Sequence, residues 1–165
     1  MPSGRTHSLI NFSVLGAGMM LWQVLGRPAD DTPGLSVAAG MIIGTVWITP
    51  DLDMRGVKVD AQRAWGPLGA VWSPLRMLSK HRGVSHTYLR GPLLRVAYLA
   101  AIAALLLLLV RLCTGTPWNS PLPSLPVHLS TAPPVKVLLW SYCGYHAAQV
   151  LHLIADRIPL SFKRL

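Results

Sequence analysis

Seven side chains in four short clusters are of the types that bind divalent metals: His7 in GRTH, Asp51 and Asp53 in TPDLD, His81 and His86 in KHRGVSH, and His152 with Asp156 in HLIAD. Imidazole nitrogens and carboxylate oxygens are the usual ligands of zinc and related ions. A catalytic ion keeps one position open for water, and such a water ionises near neutral pH. The chemistry expected is therefore hydrolysis of a phosphoester or carboxylic ester, with one or two divalent ions, zinc first among them. Seven candidates exceed the needs of a single ion. Asp51 or Asp53 is the expected base, and Arg82 reads either as steadying charge developing on the substrate or as one of many cations that face lipid headgroups.

Each spacing has a physical reading. His152 and Asp156 stand at i and i+4, one above the other on a helix face, where they can share an ion. Pro50 starts a new backbone direction, after which Asp51 and Asp53 either ligate together in a turn or point to opposite sides, one ligating and one orienting. His81 and His86, five apart with Gly83 between them, would splay by more than a right angle on a straight helix, so a turn is expected there. His146 precedes His152 by six residues and is weighed as a second ligand against a plain helix contact. His128 reads as an ordinary loop side chain, and the pair Asp30 and Asp31 as solvated turn chemistry.

The elements that must position these groups are helices in a membrane. The chain has 165 residues, 52% of them hydrophobic and 13% charged, which lies to the apolar side of soluble proteins. Four apolar stretches run over about 8–25, 35–49, 92–112 and 135–155. The third is the surest span, since about 20 apolar residues cross a hydrocarbon core. Gly16, Gly18, Gly40 and Gly44 in the first two suit close helix packing. Arg5 followed by an apolar run imitates a secretory signal, but the run is long for one and lacks a clean cleavage site. WGPLGAVWSPLRML reads as a short interfacial helix with tryptophan anchors, and the proline-rich segment 113–134 as an extended loop. The expected fold is all-α: one membrane-embedded metal-binding domain over 1–165, with about four transmembrane helices and one interfacial helix.

Charge sets the orientation independently of any motif. Lys and Arg number 15 against 6 acidic residues, all of them Asp. The segment 50–91 holds Arg55, Lys58, Arg63, Arg76, Lys80, Arg82 and Arg90, whereas the loops on the opposite side are nearly free of Lys and Arg. The positive-inside rule puts that segment in the cytoplasm. With four spans the two termini lie on the same side, and every one of the seven candidate ligands then reaches the cytoplasmic face of the inner membrane. Anionic lipid is the natural counterpart of the +9 charge. Nucleic acid is not expected, because the basic segment lacks the aromatic and glycine pattern of a known binding module. Cys113 and Cys143 stand singly, so neither a disulfide framework nor a thiolate zinc site is indicated. Arg95 and Arg111 lie only near the ends of the third span, which argues against a transport path.

The order of GRTH, PDLD, HRGVSH and HLIAD along nearly the whole chain resembles the membrane-bound family of metal-binding proteins related to YdjM-type metal-dependent hydrolases. The resemblance implies a helical membrane protein, a hydrolase, and His7, Asp51, Asp53, His81, His86, His152 and Asp156 as its site. The same order is similar, more distantly, to zinc-dependent phospholipases C of the all-helical type, whose clusters include a Glu that this chain does not have. Membrane lipids are the expected partners, and an anionic phosphoester or lipid the expected substrate. The alternative from a different class is a non-catalytic membrane protein that binds or hands on metal through the same ligands.

Overall fold

The computed structural model describes residues 3–28, 31–54, 56, 59–78, 83–120 and 134–161. Among them the chain forms α-helices joined by short 3-10 turns, with no strand. Helix α1, Gly4–Val24, starts at Ser3, whose hydroxyl accepts from the Thr6 amide. Helix α2, Thr32–Val46, starts at Asp31, which caps the Gly34 amide at 2.7 Å while its other oxygen accepts from the Trp22 indole of α1. Asp31 is thus a cap and a tie between helices, more than the solvated turn residue its sequence context suggests. Pro50–Asp53 forms a 3-10 turn, followed by α3, Asp60–Trp65, a 3-10 segment over Gly66–Trp72, and α4, Ser73–Leu78. A second turn, Val84–His86, leads into α5, Arg90–Thr114, which stops at Gly115 in the left-handed region (φ 64°). Helix α6 spans Pro134–Ala155.

All four apolar stretches are helices, and they alternate in direction so that the start of α1, the end of α2, the start of α5 and the end of α6 meet at one end. Among the described residues two helices, Thr32–Asp53 and Arg90–Thr114, are long and apolar enough to cross a membrane, not the four expected. Helices α1 and α6 have the length but less hydropathy than four equal spans would show, because each turns polar side chains inward: His7 and Asn11 on α1, Gln149 and His152 on α6. The apolar side chains of α5 do the opposite. Only 6% of its most hydrophobic window is buried, and Leu105, Leu106, Val110 and Leu112 stand open.

The dominant contact runs along α2 and α6. A methyl group at Gly40 would lie 1.8 Å from the Ser141 carbonyl oxygen, and one at Gly144 1.9 Å from that of Val37. Gly40 and Gly44 therefore form the close-packing face expected of them, with Gly144 as their unforeseen counterpart. Gly16 and Gly18 do not share this role, since nothing lies within 4 Å of where their side chains would start.

The segment expected to be an interfacial helix is instead a folded cap on the bundle end. Trp72 is fully buried with Leu52, Ala61 and Leu75, and Tyr98 of α5 packs against them. Trp72 is thus a core residue, not a lipid anchor, because the chain breaks into three short helical pieces that wrap around it. Trp65 is half-buried and donates its indole N–H to the Trp47 carbonyl.

Gly144→Ala and Gly40→Ala are expected to lower stability by about 1–3 kcal/mol or more through overpacking against backbone. Gly16→Ala should leave stability unchanged or raise it slightly, since Ala is the better helix former at an open site. Thermal unfolding followed by circular dichroism in detergent distinguishes the two cases.

Candidate metal centre

The close approach of α2 and α6 delivers the turn after α2 to the last turn of α6. There His152 Nε2 lies 3.5 Å from Asp51 Oδ2 and 3.6 Å from Asp156 Oδ2. The second 3-10 turn brings in His86, fully buried, with Nε2 3.7 Å from Asp51 Oδ1 and Nδ1 3.9 Å from Asp53 Oδ2. The first turn of α1 adds His7, whose Nε2 stands 3.3 Å from Asp156 Oδ1 and whose ring stacks on that of His152. Asp51, His86, His152 and Asp156 can each place one ligand atom within 4.8 Å of all the others.

The donor set fits a cation. His152 Nε2, Asp51 Oδ1 and both oxygens of Asp156 are buried, and none has a hydrogen-bond partner among the described residues. Burial costs such groups solvation, which the histidines at 3.3–3.7 Å offset only in part and a bound cation would offset further. Most of the separations between them are too long for good hydrogen bonds. They do match two ligands on one ion, which at zinc's bond lengths and tetrahedral angle lie about 3.4 Å apart. Asp51 and Asp53 divide as one of the sequence alternatives has it: Asp51 faces the cluster, and Asp53, 2% exposed, faces the far nitrogen of His86, where a carboxylate orients a ligating imidazole.

His7, Asp51, Asp53, His86, His152 and Asp156 are therefore brought together. His81 and Arg82 lie outside the described residues. His146 stays out of the cluster, with its ring stacked against Tyr142.

Three residues with no part in the site as read from sequence hold the ligand-bearing segments in register. Arg95 is 1% exposed; it donates to the Ser85 carbonyl at 3.0 Å, beside His86, and to Gln149 Oε1 at 2.9 Å, one turn before His152. Gln149 in turn donates to the carbonyls of Gly44 and Ile48, at the end of α2 where the Asp51 turn begins. Asn11 donates to Thr45 Oγ1 and the Ala148 carbonyl, fixing α1 against both partners one turn after His7. Signals for all three were present: a cation one turn inside an apolar helix needs a buried partner, and Asn11 and Gln149 stand one turn from a histidine. Gly91 is needed as well, since a methyl there would fall 2.4 Å from the Ser85 carbonyl oxygen.

A cavity of about 270 Å³ opens beside the cluster. His7, Asp51 and His152 form part of its wall, and Asn11, Thr45 and Thr49 add polar groups.

Arg95→Met is expected to weaken divalent-metal binding about 10–100-fold, the usual effect of removing an outer support. Arg95→Lys should recover only part of the loss, because an ammonium cannot span Ser85 and Gln149 as the guanidinium fork does. Competition with a chromophoric chelator measures both, with helix content checked in parallel.

An uncharacterized protein of Aquifex aeolicus (strain VF5) is 38% identical over 60 residues, which are 36% of this chain and 41% of that protein. The chain thus spans less than half the length of this relative. No solved structure matches. The family described as uncharacterized metal-binding protein (DUF2227) matches residues 2–165, nearly the whole chain, and with the His/Asp cluster in view the chain belongs to that metal-binding family.

Proposed function

We propose that the chain is an integral membrane protein of the inner membrane that hydrolyses a phosphoester or carboxylic ester, lipid substrates included, at a divalent-metal centre on the cytoplasmic face. The observation that carries the reading is the cavity: the ligand cluster is open on one side, where His7, Asp51 and His152 meet a space of about 270 Å³. A closed structural site has no such space. The order of the four motifs supports kinship with YdjM-type hydrolases.

A bound divalent ion, zinc foremost, would supply a water acidified to near neutral pH. The chain's own groups do the rest. The Asp51 carboxylate, 17% exposed on the cavity side, accepts the proton released as the water attacks. Asp53 steadies His86, and Asn11, Thr45 and Thr49 offer polar contacts to the substrate. Arg82, outside the described residues, is the cation assigned to the anion that develops on the substrate.

Membrane insertion is supported by the open apolar surface of α5 and α1. Helix α5, with 25 residues, extends about 37 Å at a rise of 1.5 Å per residue, enough for a hydrocarbon core. Among the described residues Arg5, Arg63, Arg76, Arg90 and Arg157 lie in the segments at the cluster end, against Arg27, Arg111 and Lys136 at the other, and the positive-inside rule favours the cytoplasm for the cluster end.

Zinc-loaded protein in detergent is expected to cleave a chromogenic phosphodiester, a chromogenic acetate ester or vesicle phosphatidylglycerol. Asp51→Asn should lose about 10²–10⁴-fold in rate while still folding. Metal retention with no turnover on all three would favour the metal-handling alternative. For orientation, a membrane-impermeant maleimide added to intact cells should label Cys113, exposed at the far end of α5, and spare Cys143 within α6. Labelling of Cys113 only after permeabilisation would reverse the topology.

A further inference from the structure

We infer that the cluster holds two ions of unequal character: an inner one enclosed by Asp51, His86, His152 and Asp156, and an outer one at the cavity wall whose own imidazole is His7. The inference rests on the metal-centre reading above and adds the number of ions and the division of ligands between them.

Ring geometry carries the argument. An imidazole binds through an in-plane lone pair, so its ion lies in the plane of the ring. His7 and His152 are stacked with centroids 3.8 Å apart and planes 12° from parallel. Two such planes meet only far from either ring. No single ion can therefore sit in line with both nitrogens, although both rings direct Nε2 at the same carboxylate.

The carboxylates are arranged to match. Asp156 turns Oδ1 to His7, at 3.3 Å, and Oδ2 to His152, at 3.6 Å. Asp51 turns Oδ1 to His86, at 3.7 Å, and Oδ2 to His152, at 3.5 Å. Asp156 thus offers one oxygen to each of two imidazoles that cannot share an ion and is set to bridge two ions, whereas the two imidazoles that Asp51 faces both belong to the inner one. Asp156 has no exposed side-chain surface, and neither of its oxygens has a hydrogen-bond partner among the described residues, so it calls for positive charge on both sides.

Ligand count separates the two positions by role. Four protein ligands complete a tetrahedral shell, the arrangement of a structural ion. His7 lies beyond that quartet and lines the cavity, so the outer position is the one with room for water and substrate.

The test uses the full chain in detergent, stripped of metal and refilled with Mn²⁺ as the only cation. Elemental analysis should find two Mn²⁺ per chain, and paramagnetic resonance should show an exchange-coupled pair. His7→Phe preserves the stacked ring and removes its nitrogens; it should retain one Mn²⁺ with an uncoupled six-line spectrum. One ion in the wild type, or two in His7→Phe, overturns the pair and leaves the metal centre standing. No bound Mn²⁺ in the wild type overturns the metal-centre reading together with it.

Discussion

Two helix backbones can approach to the point where a methyl group no longer fits only if glycine lies at the crossing, and α2 and α6 do so at Gly40 and Gly144. That approach decides where the chemistry lies. The turn carrying Asp51 leaves the end of α2, and His152 with Asp156 ends α6. A wider spacing would separate the carboxylate of one from the imidazole of the other by more than an ion can span. Gly44, one turn further along, faces Ala148 and the Gln149 amide, so the same packed face continues to the rim of the cluster.

Holding polar ligands inside an apolar bundle sets a second requirement, since every amide and charge brought in with them needs a partner. Arg95 and Gln149 meet it together. A single planar guanidinium reaches the carbonyl beside His86 and the side chain one turn before His152, while the amide of Gln149 returns to the end of α2. The His86 turn and the end of α2 are thereby each tied to α6 through Gln149. Removal of one partner would strand the rest, which makes the network a strong determinant of ligand placement.

The same requirement explains why α1 and α6 look less like membrane spans than α5 does. His7 and Asn11 lie one turn apart on α1, and Gln149 and His152 lie close together on α6, all facing inward. Mean hydropathy counts such residues against the helix, although they are buried within the bundle. Helix α5 turns Arg95 inward and packs Leu94, Tyr98 and Leu99 against the cap, while most of its remaining length stays apolar and open.

The sequence by itself determined the four long helices and the clusters to which His7, Asp51, His86, His152 and Asp156 belong, because these follow from local composition and spacing. It also determined the pairing of His152 with Asp156, which helical periodicity brings onto one face. Only the tertiary structure decided that Asp51 faces the cluster while Asp53 stands behind His86, that Trp72 is core instead of anchor, and that Arg95 reaches from α5 to both histidine-bearing segments. These depend on distances between segments far apart in the chain. Such distances are set by the glycine contact of α2 and α6 and by side-chain partners that no local pattern names.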